Sequence, residues 1–305
     1  MKILFIAGGD SAHSHRWISW FLEQDTLQIG WISLRDTFDL ANEHKYHISP
    51  AKKVFKPAAL NLLISSIINL FRVLAWKPDC IHIHYMGLNG ILGLILPSKV
   101  KVFSAWGDDI LFPKYPRILS LMIKRANFFT VDAVHMKDRL IELGADEQKI
   151  HLINFGIETD KFQKKSTDSK YRKKIFNNSH DSDPIIISLR NHDPVYDIPT
   201  LLNAIPLVLK EIPNAKFSIG GHGPLTNSLK EHSKVLGVEA AICFFGKYTH
   251  DDLPHLFAQS SLYVSTSLSD AGIAASTAEA MACEVPVVVS DTGENNQWIE
   301  NGVNG

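Results

Sequence analysis

The sequence predicts an α/β protein with two doubly wound domains, each built around a parallel sheet. Three observations support this fold class. Short apolar runs alternate with longer stretches of helical periodicity, as they do when crossover helices join parallel strands. The alternation stops in a polar segment near the middle of the chain and then restarts. The chain also has 305 residues, more than one hydrophobic core usually supports.

The first half contains six apolar runs of strand length. Their apolar character is nearly continuous, which is typical of parallel strands that are buried on both faces. These runs are 2–8, 29–34, 80–85, 100–106, 128–133 and 150–156. Helical periodicity between them includes 14–24 and 58–76. We therefore predict a first Rossmann-like domain over residues 1–165.

A segment rich in charged residues, Ser and Asn separates the two halves, and we assign residues 166–183 as the linker. Five further strand-like runs predict a second Rossmann-like domain over residues 184–305. They are 184–190, 215–221, 241–246, 261–267 and 285–290. Ligands of such sheets bind beyond the carboxyl ends of the strands, so we expect the two domains to face a shared cleft.

The composition argues against several classes of partner and location. Lys plus Arg number 31 and Asp plus Glu number 32, so the net charge of −1 creates no general attraction for nucleic acid. The three cysteines are far apart and match no metal-binding spacing, which suggests a reducing compartment and predicts a cytoplasmic location. The apolar run after Lys2 is short and reads as a strand, and no run reaches the length of a membrane span.

Polar residues follow several predicted strands of the first half. Gly8 and Gly9 allow the chain to turn close to an anionic ligand, although a glycine pair also suits an ordinary turn. His82 and His84 share one face of a strand. A third metal ligand is missing nearby, so hydrogen-bonded histidines of the core or cleft are the favoured interpretation.

Asp108 and Asp109 lie just past another predicted strand. The pair could hold a cation, but a solvated loop with one helix-capping Asp explains it more simply.

The second half carries a stronger pattern. Arg190 ends a strand where its guanidinium could hold a phosphate, although it could equally be a surface arginine. The glycines of "SIGGHGPL", among them Gly221, suit either a close approach to a ligand or a tight turn. In "GIAASTAEAMA", small residues at the start of a predicted helix would bring bare amides close to a diphosphate. Glu279 lies about one turn further on, where its carboxylate could bind a ribose diol; the alternative is an ordinary helix glutamate.

The stretch "STAEAMACEVPVVVSDTGENNQWIENGVNG" resembles the donor-binding signature of retaining GT-B glycosyltransferases of family 4, which is roughly E-x7-E followed by A-M-A-x-G-x-P-V-V. Further segments resemble the family in the same order along nearly the whole chain. They are "SAHSHRW", "PDCIHIHYMG", "SAWGDDIL", "LIELGADEQKIHLINFGIETDKF", "SLR", "GGHGPL" and "SLYVSTSLSDAG". The resemblance implies two Rossmann-like domains, with the acceptor bound mainly by the first and the nucleotide-sugar mainly by the second, without a metal.

The resemblance also implies roles for individual residues. Glu279 would hold the ribose hydroxyls, and Arg190 would neutralise the diphosphate. The residues expected to take part in catalysis are Arg190, Glu279, Asp270, Asp109 and His84. Those expected to contact the nucleotide-sugar are Gly8, Gly9, His13, Arg190, Gly221, Gly272, Ile273, Ala274 and Glu279. No metal site and no cofactor are expected, since the donor itself is a UDP- or GDP-sugar.

The sequence departs from the family pattern at several positions. The first glutamate of E-x7-E falls at Ala271, and Asp270 is one residue out of register. Tyr196 stands where many relatives have a lysine, and Trp106 stands at a family histidine. Glu284 occupies a usual glycine position. Relatives continue beyond "ENGVNG", so we expect the second domain to be incomplete at its carboxyl end.

The function implied by the resemblance is retaining transfer of a hexose or N-acetylhexosamine to a saccharide or lipid-linked saccharide in cell-surface polysaccharide synthesis. Lys52, Lys53 and Lys56 precede the apolar stretch 58–76, which can be read as a peripheral contact with the inner membrane surface or, more simply, as a buried crossover helix. Two other functions stay open. They are a GT-B nucleotide-sugar epimerase and a non-catalytic nucleotide-sugar-binding module.

Overall fold

The computed structural model describes residues 1–9, 11–34, 46–48, 58–176, 180, 182–270 and 272–305. The chain divides into two compact units, Met1–Asn154 and Phe155–Gly305. Each unit contains its own parallel sheet with helices around it. The predicted fold class, two Rossmann-like α/β domains, is confirmed.

The sheet of the first unit has seven strands among the described residues. They are β1 (Lys2–Ile6), β2 (Gln28–Ile32), β3 (Tyr46–Ile48), β4 (Cys80–His84), β5 (Val100–Ser104), β6 (Phe128–Val131) and β7 (Ile150–Leu152). All neighbouring pairs are parallel, in the order β3-β2-β1-β4-β5-β6-β7. The helices are α1 (Ala12–Leu22), α2 (Ala58–Trp76), α3 (Leu88–Ile95), α4 (Asp108–Leu111), α5 (Pro116–Arg125) and α6 (Val134–Glu142). The direction of strand addition reverses between β1 and β4, where such folds bind ligands.

Each of the six apolar runs predicted in the first half overlaps one of these strands. The central strand β1 shows why, because Leu4, Phe5 and Ile6 are all fully buried although they alternate between the two faces of the sheet. The prediction missed β3, whose three residues, Tyr-His-Ile, are too few and too polar to form an apolar run.

The sheet of the second unit has five strands among the described residues, as predicted. They are β8 (Ile185–Ser188), β9 (Lys216–Gly220), β10 (Ile242–Gly246), β11 (Leu262–Ser265) and β12 (Val287–Val289). The order is β10-β9-β8-β11-β12, again with parallel pairs, so the direction of strand addition reverses between β8 and β11. The helices are α7 (Ser169–Ile175), α8 (Ile198–Glu211), α9 (Thr226–Val235), α10 (Leu253–Ala258), α11 (Ala275–Ala282) and α12 (Asn295–Trp298).

Strand β8 shows how this sheet is covered on both faces. Ile185 and Ile187 pack into one apolar cluster with Tyr263 and Phe257, whereas Ile186 packs into a second cluster on the opposite face. This is the two-residue period of a strand, and a central strand buried in this way must be apolar at every position.

The stretch predicted as a linker, 166–183, contains helix α7, and Ile175 and Phe176 belong to the core of the second unit. An Asp168 cap on the amide of Lys170 starts this helix, so a segment that is polar in sequence still folds locally. The boundaries at residues 165 and 184 stay a prediction. Within the described parts of both units, no helix is long and apolar enough to cross a membrane.

Candidate functional site

The carboxyl edge of the second sheet brings two predicted site residues into direct contact. Arg190 follows β8 and Asp270 follows β11, and these two strands are neighbours in the sheet although they are far apart in the chain. Nη2 of Arg190 donates to Oδ1 of Asp270 at 2.5 Å. The side chains are only 10% and 13% exposed, so each charge has lost most of its water and depends on the other.

The guanidinium of Arg190 is also held from one side by an aromatic ring. Its central carbon lies 4.3 Å from the centroid of the Tyr196 ring, a stacking geometry that fixes the plane of the guanidinium. Nε of Arg190 is buried and has no hydrogen-bond partner among the described residues. Arg190 therefore keeps one N–H donor that an anionic ligand could use.

The loop that carries Asp270 is held by hydrogen bonds to the backbone of the segment after β8. The amide of Leu268 donates to the carbonyl of Val195 at 2.8 Å, and the hydroxyl of Thr266 donates to the carbonyl of Asp197 at 2.8 Å. These bonds join the segment after β11 to the segment after β8. Asp270 is thereby held beside Arg190, while Ala271, the expected position of a family glutamate, lies outside the described residues.

The predicted glycine Gly221 lies directly against the Arg190 backbone. Its φ is +97°, and a Cβ at this position would come within 2.8 Å of the Arg190 carbonyl oxygen. Gly223 is similar, since its Cβ would lie 2.6 Å from the carbonyl oxygen of His192. Close packing of the two loops after β8 and β9 thus accounts for both glycines.

Glu279 lies on α11 with its side chain only 4% exposed, which distinguishes it from an ordinary surface glutamate of a helix. Oε1 of Glu279 lies 3.3 Å from Nε2 of His250, which follows β10. Nδ1 of His250 is in turn 2.9 Å from Nζ of Lys161. Neither His250 nor Lys161 is predicted from the sequence, because nothing in the linear sequence places either one near residue 279.

The start of α11 is built from small or apolar residues. Gly272 is buried, Ile273 and Ala274 are half-buried, and Ala274 occupies the cap position without any side chain that could accept from the first amides. The hydroxyl of Ser276 is hydrogen-bonded to that of buried Tyr263 at 2.7 Å, which fixes the first turn against β11. The first turn has no acidic side chain, so its amide dipoles are not opposed by negative charge there.

In the first unit, the two strand histidines are both buried. Nε2 of His82 is hydrogen-bonded to the hydroxyl of Ser104 at 2.7 Å, which pairs in turn with the hydroxyl of Thr130 at 2.6 Å. Burial lowers the pKa of His82 to about 3. Burial also holds the pKa of His84 well below its usual range, so both rings are neutral at pH 7.

His84 has no hydrogen-bond partner on either ring nitrogen among the described residues. This differs from the expectation of a hydrogen-bonded histidine, and the surrounding rings explain it. Phe5, Trp17, His82 and Trp106 have centroids within 4.7–5.7 Å of the His84 ring. A ring enclosed in this way cannot reach a ligand unless a neighbour moves, and the catalytic role of His84 stays a prediction.

Asp109 holds two loops of the first unit together. Its Oδ2 accepts from the amide of Met86 at 2.7 Å, and its Oδ1 accepts from the amides of Trp106 and Gly107 at 3.1 and 3.0 Å. Burial raises its pKa to about 6, although the three amides favour the charged form. These bonds connect the segments after β4 and β5. The predicted catalytic role of Asp109 stays a prediction beside this structural one.

The loop after β1 carries the remaining predicted residues. The amide of Gly9 donates to the hydroxyl of Ser33 at 2.8 Å, and the carbonyl of Gly9 pairs with Nε2 of His15 at 2.8 Å. Gly8 accepts from the amide of Ser11 at 3.3 Å. His13 is exposed, with its ring centroid 5.9 Å from that of Trp106. The Gly9 amide, expected to face an anion, is thus already used by Ser33.

Metal ligands and thiols are the remaining candidate groups among the described residues. They contain no group of three or more His, Cys, Asp or Glu placed to hold a metal ion. Cys80, Cys243 and Cys283 are free, and burial raises the pKa of the Cys80 and Cys283 thiols to about 11. Thiols with such pKa values are almost entirely protonated at pH 7 and are poor nucleophiles.

Two Rossmann-like α/β units in series, each with its own parallel sheet, form a GT-B fold. Residues 12–161 match the family described as Glycosyltransferase Family 4, and residues 169–305 match the family described as Glycosyl transferases group 1. The two matches together span almost the whole chain. The chain therefore belongs to the family 4 (group 1) type of GT-B glycosyltransferases.

Solved structures of the same fold include the crystal structure of Anabaena Alr3699/HepE in complex with UDP and glucose. It has a TM-score of 0.79 and 19% identity, over 100% of this chain and 84% of that one. A putative glycosyltransferase, EpsD of Bacillus subtilis, is 25% identical over 53% of this chain and 41% of its own length. Alpha-monoglucosyldiacylglycerol synthase of Streptococcus pneumoniae is 23% identical over 74% of this chain and 54% of its own length. The chain spans about half or less of the length of these curated relatives.

Proposed function

We propose that this protein is a retaining glycosyltransferase that moves a hexose or an N-acetylhexosamine from a UDP- or GDP-sugar to a saccharide or lipid-linked saccharide. The proposal assigns the donor to the second unit and the acceptor mainly to the first. It places the reaction in cell-surface polysaccharide synthesis at the cytoplasmic face of the membrane, with a peripheral contact there. It needs no metal, because Arg190 and the amides of α11 supply the positive charge.

The observation that carries the proposal is the group of Arg190, Asp270 and Glu279 in the second unit. Arg190 offers a buried guanidinium with an unused Nε–H, which suits a diphosphate. Glu279 offers a buried carboxylate, which suits the two hydroxyls of a ribose. Asp270 can accept from a sugar hydroxyl, taking the role of the family glutamate that Ala271 cannot fill.

The chemistry follows from the leaving group. When the bond between the sugar and the diphosphate breaks, negative charge grows on the diphosphate oxygens, so donors fixed in advance around them lower the barrier. Arg190 is fixed by Asp270 and by the Tyr196 ring before any ligand arrives. In the proposed same-face reaction, the leaving phosphate takes the proton of the acceptor hydroxyl, so no separate protein nucleophile is required.

Assignment of the acceptor draws on the relatives and on the first unit. The Streptococcus pneumoniae relative is by its name a synthase of a glucosylated diacylglycerol, which supports a lipid-linked acceptor and a membrane contact. Lys52, Lys53 and Lys56, the basis of the membrane-contact interpretation, lie outside the described residues. For Gly8, Gly9 and His13 of the first unit, contact with the nucleotide-sugar stays a prediction.

The test is turnover of UDP-glucose, UDP-N-acetylglucosamine and GDP-mannose, with the anomeric configuration of the product read by NMR. Transfer or hydrolysis with retained configuration is expected. Inversion at a carbon within the sugar would instead indicate an epimerase, and binding without turnover would indicate a non-catalytic module. Arg190→Gln should lower kcat by roughly 10²–10³-fold. Arg139→Gln, which removes an arginine paired with Glu142 on the surface of the first unit, is the matched control and should leave kcat unchanged.

A further inference from the structure

We propose that His250, held by Lys161, positions Glu279 so that the protein distinguishes ribose from deoxyribose in the nucleotide. The three residues form a hydrogen-bonded chain, Lys161–His250–Glu279, within the second unit. The inference rests on the proposed function, because it assumes that Glu279 binds the ribose. It makes His250 a positioning residue that acts through Glu279 and not through its own contact with the donor.

The chain joins three separate parts of the second unit. Lys161 precedes α7, His250 follows β10, and Glu279 lies on α11. Nζ of Lys161 lies 2.9 Å from Nδ1 of His250, and Nε2 of His250 lies 3.3 Å from Oε1 of Glu279. Both ring nitrogens of His250 therefore have a partner: Lys161, which can only donate, at Nδ1, and the carboxylate of Glu279, an acceptor, at Nε2.

The two bonds together define the tautomer of His250. An ammonium group can only donate, so Nδ1 of His250 must accept and carries no proton. The proton of the neutral ring then lies on Nε2, where it can donate to the carboxylate of Glu279. In this tautomer, the negative end of the ring dipole faces Lys161 and the positive end, Nε2–H, faces Glu279.

Two further contacts hold His250 and Lys161 in place. The ring of Phe162, which belongs to the core of the second unit, meets the His250 ring edge-to-face with 5.2 Å between centroids. Nζ of Lys161 also pairs with Oδ1 of Asp251 at 2.5 Å. The Asp251 side chain is 89% exposed, so this ion pair adds little energy but limits where the lysine can go.

The burial of Glu279 explains why such a partner is needed. A carboxylate that is 4% exposed is costly unless it accepts hydrogen bonds, and His250 supplies one at Oε1. A carboxylate has about four acceptor positions, so this bond leaves capacity for the two hydroxyls of a ribose. His250 therefore orients the carboxylate without occupying all of its acceptor positions. A sugar that lacks the 2′-hydroxyl would lose one bond to this oriented charge.

The experiment compares calorimetric binding of UDP, GDP and ADP, and then of the 2′-deoxy form of the tightest binder. The wild type should prefer the ribonucleotide by about tenfold or more, since a hydrogen bond to a charged group is lost in the deoxy form. His250→Leu should reduce that preference to less than about threefold while leaving affinity for the deoxy form nearly unchanged. His250→Gln, whose amide can still donate to Glu279, should restore most of the preference.

His232→Leu is the matched control, because His232 makes a similar bond of 2.8 Å to Asn203 elsewhere in the second unit and should not affect the preference. An equal loss of affinity for both nucleotides in His250→Leu would mean a general structural role and would overturn the inference alone. Absence of nucleotide binding by the wild type would overturn the proposed function and the inference with it. The tautomer gives a test without nucleotide, since nitrogen–proton NMR of the wild type should show His250 protonated on Nε2, and an Nδ1–H ring would contradict the chain.

Discussion

Asp270→Asn tests the central contact of the candidate site. In the free protein, Asp270 holds the guanidinium of Arg190 at 2.5 Å, in surroundings where the two side chains are 10% and 13% exposed. A diphosphate must either replace Asp270 on Arg190 or bind next to its negative charge. In both cases the aspartate opposes the ligand. Removing its charge while keeping its shape should therefore tighten the binding of UDP, even though it removes a residue of the site.

The magnitude follows from the distance and the burial. Two unit charges about 4 Å apart interact by about 4 kcal/mol at an effective dielectric constant of 20. Partial exposure and the amide dipole of the new Asn reduce the difference felt by the ligand to about 1–2 kcal/mol, or roughly 5–30-fold in affinity. The free protein should lose stability at the same time, by up to about 3 kcal/mol, since Arg190 is left as a buried charge without its partner.

Calorimetry with UDP measures the affinity, and urea unfolding measures the free energy of unfolding. Asp168→Asn is the control, because it removes one negative charge from the second unit at a helix cap that Asn also satisfies. Asp168→Asn should change neither quantity appreciably. If Asp270→Asn binds UDP no more tightly than the wild type while its fold is intact, Arg190 does not bind the diphosphate as proposed.

Two further changes probe the supports of the site. Gly221→Ala should lower the free energy of unfolding by about 2 kcal/mol or more and weaken UDP binding, because φ is +97° and the new Cβ would press on the Arg190 carbonyl at 2.8 Å. Gly237→Ala, at φ +67° with open space around it, should cost only about 1 kcal/mol and leave UDP binding unchanged; equal effects of the two would exclude the Arg190 contact as the cause. For Asp109, burial raises the folded pKa to about 6, so its protonated form is favoured in the folded state. Its contribution to stability is thus fully present below about pH 4 and is lost as the pH rises through 6, a decrease of about 3 kcal/mol. Unfolding of Asp109→Asn across this pH range should show a smaller decrease, and an unchanged profile would contradict the raised pKa.

The strands of this protein were predictable because its parallel sheets are buried on both faces. In β8 all four residues, Ile-Ile-Ile-Ser, are buried, so the run is visible in sequence without any alternation. The short edge strand β3 could not be predicted, because three residues at the edge of a sheet need no apolar run. Helix α7 lies inside the predicted linker because its sequence, Ser-Lys-Tyr-Arg-Lys-Lys-Ile, is mostly charged and gives no apolar pattern; only Ile175 is fully buried.

The places of Arg190 and Glu279 in the fold are easier to predict than their contacts. Arg190 follows a predicted strand, and Glu279 lies in a predicted helix of small residues. Their partners depend on which strands are neighbours, and that order is not written along the chain. Asp270 meets Arg190 only because β11 lies beside β8, and His250 meets Glu279 because the segment after β10 reaches α11. A histidine in a polar stretch carries no local signal of such a contact.

Asp270 and Glu279 each have a nitrogen donor as partner, Arg190 and His250 respectively, but the two pairs are expected to affect a bound nucleotide in opposite directions. Asp270 places a negative charge beside the Arg190 guanidinium whose Nε–H is proposed to bind the diphosphate, so it opposes the ligand. His250 donates to Glu279 and orients its carboxylate, so it supports the ligand that Glu279 would bind. Loss of Asp270 should therefore tighten nucleotide binding, whereas loss of His250 should weaken ribonucleotide binding. Asp270 bonds to buried Arg190 and His250 bonds to buried Glu279, so a purely structural account gives the loss of either side chain an effect of the same sign. Opposite signs require that Arg190 and Glu279 both meet the ligand.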